Sequence, residues 1–409
     1  MKHYDLLVTG GGISGVAAAV RAAREGLSVL LVEKTGCLGG AMSSSLVYPF
    51  MRYRTMDEKQ EVLSGGLFSE MLQRHAAYGD TSWETFKFVF DDMTAEAGVD
   101  VLFHTVVFRA DCEERRVRKL YAVSKSGILE LEADFFVDAT GDGELIAMTG
   151  CDYQLGRESD GLCQPMTTCF RLSGVDIPLF REERPALQEL YKQQQEQGYI
   201  QNPRENILVF YNLADGVLHL NTTRVVKLNP VDPVEVSRAE MLARKQVFEM
   251  FDFLRKNSKA CANASIVNVA QHIGVRESRK LRGEYILTAE DLISGAEFED
   301  TVTLGCYQID IHNPEGSGTY LHQFRDGKFY RIPYRCLLPK ELDNLLVAGR
   351  CLSATHEAHS AVRIMPICAC MGDAAGMAVA AAKTDGADTH TLDIRKVQRK
   401  LMDAGMPIK

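Results

Sequence analysis

The 409-residue sequence carries no excess of basic residues: 46 Lys and Arg stand against 55 Asp and Glu, a formal net charge of −9. Without a basic stripe or a basic domain, a nucleic-acid partner is excluded. A cysteine framework is missing too. The eleven cysteines are odd in number and irregularly spaced, which in a chain this long reads as reduced intracellular thiols. Cys368 and Cys370 are two apart and no second close pair completes a zinc site, so no metal is expected. The apolar run after Lys2 is short and runs straight into glycines, unlike a secretory signal. The most apolar late stretch, 364–382, is interrupted by Gly372-Asp373 and holds too many Gly and Ala for a membrane span. A cytoplasmic protein without membrane contact is expected. Composition is that of an ordinary globular chain, long enough for two domains.

What is present begins at once. Leu6, Leu7 and Val8 form a short apolar run that ends at Gly10, and Gly10, Gly12 and Gly15 then fall at the spacing GxGxxG. Residues 13–25 read as an Ala- and Val-rich helix closed by Gly26, and a second apolar run, 29–32, ends in Glu33-Lys34. That is a complete β-turn-α-β unit within about thirty residues, the setting this motif requires. Gly10 permits the tight turn, Gly12 the approach of backbone to a pyrophosphate, and Gly15 the close packing of helix on strand. The helix N-terminus, with Ile13 and Ser14, offers N–H groups and partial positive charge to phosphates. Glu33 is placed to accept hydrogen bonds from a ribose diol. The unit is expected to bind an adenine dinucleotide, either FAD or NAD; a glycine turn in some other α/β protein is the bland alternative.

Further along, Gly39-Gly40 marks a second close approach of backbone to a ligand. Residues 50–95 read as inserted helices, 62–78 and 83–97, covering a sheet. Residues 101–103 read as a third core strand, and the segment to Leu131 as a meander turning at Lys125-Ser126-Gly127. It closes with an apolar strand running into Ala139-Thr140-Gly141-Asp142-Gly143. From 151 to 334 the α/β rhythm breaks into short strands (167–172, 207–212, 217–221) and two amphipathic helices (185–197, 234–257), expected to form a substrate or cap domain. From 335 the earlier style returns: a core strand ending in Gly349-Arg350, a small-residue helix containing Gly372, Ala374 and Ala375, and a closing amphipathic helix over 393–404. The domains are therefore expected as 1–150 with 335–409, and 151–334.

The segment GGGISGVAAAVRAAREGLSVLLVEKTGCLGG resembles the FAD-binding start of flavoprotein oxidoreductases. ATGDG resembles the second nucleotide contact of two-dinucleotide-binding-domain flavoproteins. With the segment RESR and the block from LLVAGR to GDAAG, the chain resembles the FAD-dependent oxidoreductases related to the flavoprotein subunits of fumarate reductase and succinate dehydrogenase. The resemblance implies an α/β, Rossmann-like FAD-binding domain with an inserted α+β cap. It implies non-covalent FAD held along Gly10, Gly12, Ile13, Ser14, Gly15, Glu33, Lys34, Gly39, Gly40, Ala41 and Met42. Further contacts are implied at Ala139 to Asp142, Gly349, Arg350, Gly372, Ala374 and Ala375. It also implies a small-molecule substrate, an electron donor or acceptor, and a redox step beside a carboxylate.

The chemistry-bearing candidates are polar residues of those same segments. Arg276 and Arg279 share a face if their segment is helical. They then either clamp a carboxylate or pair with an acid such as Glu277 or Glu284. His312, His356 and His359 are acid–base candidates near neutral pH or structural histidines, and Arg363 lies beside the last two. Cys37 lacks the partner a disulfide reductase needs, since Met42 occupies that position, and reads as a packing residue. Two other functions remain compatible with these residues: an NAD-dependent dehydrogenase, and a flavin-bound sensor or electron-transfer protein.

Overall fold

The computed structural model describes residues 2–80, 82–211 and 213–409. Strands β1 (Tyr4–Thr9) and β2 (Val29–Val32) flank helix α1 (Ile13–Arg24), as the apolar runs and glycines dictate. The chain then adds β3 (Asp100–Leu102), β4 (Val106–Glu113), β5 (Arg116–Ser124) and β6 (Gly127–Asp138). With the late strand Leu345–Val347, these make one seven-stranded sheet. Its parallel part runs β3-β2-β1-β6, with Leu345–Val347 beyond β6. Leu7 pairs with Leu30 on one side and Phe136 on the other. Long β6 serves two pairings. Its first half pairs antiparallel with β5 and alternates between buried and open positions; its second half, inside the parallel part, is buried on both faces, as a strand covered by helices on each side must be.

The helix Met365–Asp385 is long and apolar enough, by length and composition, to cross a membrane, yet it is the central core helix, packed along α1. Small residues set that approach. A Cβ on Gly372 would sit 2.0 Å from the Ser14 carbonyl oxygen, and one on Gly376 would sit 2.4 Å from that of Ala18. Beside this seam Arg21 Nε donates to Asp373 Oδ1 at 2.5 Å, and Asp373 Oδ2 accepts the N–H of Leu67 at 3.0 Å. One buried carboxylate thus ties α1, the core helix and the covering helix Leu67–Ala77 together. The second covering helix, Thr85–Ala97, ends at left-handed Gly98.

A second core, separate from the first, gathers residues between Phe170 and Ala264. It consists of a four-stranded antiparallel sheet (Ser265–Val269, Phe170–Ser173, Leu218–Leu220, Val209–Phe210) and the helices Ile177–Glu196 and Pro233–Asn257. This unit is narrower than 151–334, because Leu281, Leu292, Val302, Tyr330 and Ile332 bury in the first core. The first of its helices starts before the expected 185, capped by the Asp176 side chain on the N–H of Leu179, and passes through Pro185. Phe180, Leu187 and Tyr191 bury its inner face, and that burial offsets the ~3 kcal/mol an internal proline costs. The strand expected over 207–212 is confined to Val209–Phe210; Asn212 lies outside the described residues. All eleven cysteines are free, and Cys37 is half-buried.

Candidate cofactor and substrate site

A cavity of about 1390 Å³ opens where the two units meet. Pockets for single drug-sized ligands are roughly 300–1,000 Å³, so this space exceeds what one such ligand needs. Gly10, Gly12, Ile13, Ser14, Glu33 and Lys34 line one end; Gly39, Gly40 and Ala41 come from the following loop. Ala139, Thr140, Gly141, Asp142 and Arg350 approach from the ends of β6 and the late strand.

The three glycines of the turn differ in what requires them. Gly10 has φ +94°, and a Cβ there would lie 2.6 Å from the Ala139 oxygen; one on Gly15 would lie 1.9 Å from the Gly10 oxygen. Both are pinned by backbone. Gly12 has an ordinary φ of −66°, and its Cβ would meet nothing nearer than Gly40 Cα at 3.9 Å. Space kept clear beside Gly12 is space for a ligand. No side chain caps α1 at its N-terminus, so its first N–H groups face the cavity as an anion site. This cradle fits a pyrophosphate. Glu33 accepts the N–H of Gly11 at 2.6 Å on one oxygen and that of Thr35 at 2.7 Å on the other; each oxygen keeps a lone pair for a ribose hydroxyl.

The ATGDG turn is shaped by the residue before it. Asp138, fully buried, accepts N–H bonds from Thr140, Leu145 and Ile146 and the Thr140 hydroxyl. Burial still pushes its carboxyl above the usual range. Asp142 pairs with Arg350 at 2.8 Å and takes the Ser278 hydroxyl at 2.8 Å. Burial opposes its charge, but Arg350 and Lys34 hold it below the ordinary carboxylate range. Lys34 itself binds Glu144 at 2.8 Å.

Six residues expected at the cofactor do not line the cavity. Gly15, Gly372, Ala374 and Ala375 serve the helix–strand and helix–helix seams, Gly349 presses on Ser14, and Met42 is buried in the first core. The small-residue pattern reports close approach of backbones, and in the late helix the partner is α1. What lines the cavity there is the helix start, Ile364 and Met365, with Cys368.

The other end of the cavity is cationic. Arg276, Arg363 and Arg204 line it, with fully buried Arg224 behind them. Burial, and then the charges of Arg363, Arg204 and Arg224, push Arg276 down to about 9, opposed by Asp310. Arg363 bonds Gln164 at 3.3 Å through one terminal nitrogen, while its Nε is buried without a partner among the described residues. Asp310, also on the wall, accepts the Tyr307 hydroxyl at 2.7 Å. Tyr307 is pushed up by burial and by that neighbour. His312 completes this wall.

The helical clamp expected from Arg276 and Arg279 does not form. Residues 276–278 are irregular and Arg279 opens the short strand Arg279–Leu281. Both arginines line the cavity but diverge: Arg276 donates to the carbonyl of Pro165 at 2.6 Å, and Arg279 donates to that of Asp142 at 3.2 Å. His356 and His359 leave the cavity altogether. His356 Nδ1 lies 2.7 Å from Glu277, which also pairs with buried Lys280, and His359 Nε2 donates to the Arg350 carbonyl at 2.8 Å. Arg204, Arg224, Tyr307, Asp310 and Gln164 were not among the sequence candidates. The one local signal was Asp310 and His312, two apart in the strand Ile309–His312 and so on one face.

The profile of the FAD dependent oxidoreductase family matches residues 5–401, nearly the whole chain. The chain belongs to this family. The oxidoreductase is 27% identical over 191 residues to digeranylgeranylglycerophospholipid reductase 1 of Methanococcoides burtonii, covering 43% of this chain and 46% of that one. It is 38% identical over 92 residues to the glutathione reductase of Debaryomyces hansenii, covering 21% and 18%. It thus spans less than half the length of these relatives. A geranylgeranyl bacteriochlorophyll reductase-like protein from Thermoplasma acidophilum superposes with a TM-score of 0.49 at 13% identity, over 99% of this chain and 85% of that one. The cofactor of the oxidoreductase is FAD, which closes the choice left open by the glycine turn.

Proposed function

We propose that the chain transfers a hydride between FAD and a small carboxylate-bearing substrate that the second unit covers as a cap. Bound FAD supplies the two-electron chemistry. The observation that carries the reading is the charge at the cavity's far end: Arg276, Arg363 and Arg204 line it with buried Arg224 close by, against the two carboxylates Glu205 and Asp310. Clustered cations next to one another are costly to bury, and an anion among them relieves that cost. Arginine's planar fork suits a carboxylate in particular. The Tyr307–Asp310 hydrogen bond holds a proton on the cavity wall, where a redox step at carbon needs one donated or removed. We further propose, on the resemblance of the sequence segments alone, that hydrogen is added or removed across a carbon–carbon bond beside that carboxylate.

The test uses the FAD-loaded chain. Short carboxylates such as propionate and acrylate are titrated against their primary amides while the flavin absorption bands are followed. Carboxylates should perturb the bands and amides should not. Arg276→Met should weaken carboxylate binding about tenfold or more, the worth of a charge-assisted hydrogen bond. Equal response to acid and amide, or an unaffected Arg276→Met, overturns the reading.

A further inference from the structure

The arginine cluster dictates how His312 is protonated. Its Nδ1 lies 3.1 Å from a terminal nitrogen of Arg224. A guanidinium has donors and no acceptor, so Nδ1 must accept, and the neutral ring carries its hydrogen on Nε2. Arg224 is itself fixed in place: it donates to the carbonyls of Gly316 and Gly318 at 3.0 Å each and pairs with Glu205 at 3.2 Å. The Thr319 hydroxyl, 3.2 Å from Nδ1, donates to Glu205 at 3.1 Å. Protonating Nδ1 would break the Arg224 contact and set a further cation among Arg204, Arg276 and Arg363. Burial first, then those arginines, keep the ring far below its ordinary range.

The opposite nitrogen is free to act. Nε2 stands 3.6 Å from Asp310 Oδ2, beyond hydrogen-bond distance, and that oxygen already accepts from Tyr307. His312 lines the cavity beside Arg276 and Arg363. We propose that His312 binds the substrate as a neutral imidazole, its Nε2–H a fixed donor to a substrate oxygen, and that Arg224 is the positioning residue that locks this tautomer. The proton of the redox step then belongs to the Tyr307–Asp310 pair. This inference rests on the carboxylate reading above.

Two measurements test it. Ring-nitrogen NMR of the FAD-loaded chain, with His312 assigned by its loss in His312→Gln, should show one neutral Nε2–H ring from about pH 5 to 9. A ring that protonates in that interval, or an Nδ1–H ring, overturns the proposal, as does an Arg224→Met variant that binds FAD and keeps the single tautomer. In the carboxylate titration, His312→Gln retains a donor and should bind within about threefold of the parent, while His312→Leu should lose about tenfold. Equal losses in both overturn the donor role. If the tautomer holds while carboxylates fail to bind, it is the substrate assignment that falls, so the two failures are distinguishable.

Discussion

His219 offers a stability prediction whose size follows from its surroundings. It sits in the strand Leu218–Leu220, fully buried, against the rings of Tyr48 and Phe210, and neither ring nitrogen has a partner among the described residues. Burial, and then the charge of Arg171, push it down to about 3. The sign follows from linkage. In the unfolded chain the ring takes up a proton as pH falls below its ordinary ~6.5, while the folded ring refuses one until about 3. His219 therefore contributes no penalty above pH ~6.5 and removes stability as pH falls below it. Between about pH 7.5 and 5 the loss is about 2 kcal/mol, from 1.36 kcal/mol per unit over roughly 1.5 units. His219→Leu, which cannot titrate, should lose that much less stability over the same interval, whatever its stability at pH 7.5. Urea unfolding at fixed, saturating FAD at both pH values gives the double difference, in which the titration of other groups cancels. A double difference near zero would refute the reasoning: either the ring is protonated in the fold, or it has a partner that keeps its ordinary affinity for a proton.

The glycine turn makes a paired prediction. Gly12→Ala meets an allowed φ and open space, so the fold should survive while FAD affinity, read by flavin fluorescence, drops at least about tenfold; Gly15→Ala drives a methyl into the Gly10 carbonyl and should fail at the level of folding, seen as lost soluble protein or a collapsed melting temperature. Asp373→Ala leaves Arg21 buried with only Glu25 at 4.0 Å as an acid and leaves the N–H of Leu67 without its acceptor, which should cost about 3–5 kcal/mol in denaturant unfolding; a loss under ~1 kcal/mol would mean that water or Glu25 takes over Arg21.

The glycine-turn end of the cavity was legible because its parts are contiguous. Strand, turn, helix and acidic strand end follow one another in about thirty residues, each with its own local signal. The far end of the cavity is assembled from side chains contributed by residues 164, 204, 224, 276, 307–312 and 363, and apart from Asp310 and His312, two apart in one strand, none of those segments carries a distinctive spacing. Only chain crossing brings Arg204, Arg276 and Arg363 together. His356 and His359 show the complementary failure. They lie in sequence between the late strand and the helix at the cavity, yet the helix His356–Val362 turns them inward, where His356 meets Glu277 and His359 Nε2 meets the Arg350 carbonyl. Helix Met365–Asp385 was legible as a close-packing element, because small residues report any near approach alike. Which neighbour approaches is a matter of topology.

The two ends of the cavity also differ in whether their cations are already paired, and this bears on which ligand the arginines serve. Near the glycine turn Lys34 is paired with Glu144, and Arg350 with Asp142; phosphate charge there would be met by the N–H groups and dipole of α1. At the far end Arg276 donates to the uncharged groups of Pro165 and Thr167, and Arg363 to Gln164. In a chain with net charge −9, Arg276 and Arg363 thus stand without a salt bridge among the described residues at the end where no phosphate is expected, while Arg224 beside them is paired with Glu205. If they serve the substrate, Arg276→Met should leave FAD affinity within about threefold while carboxylate affinity falls about tenfold or more. If the two affinities fall together, the arginines hold the cofactor's charge, and the division of the cavity into a cofactor end and a substrate end is wrong.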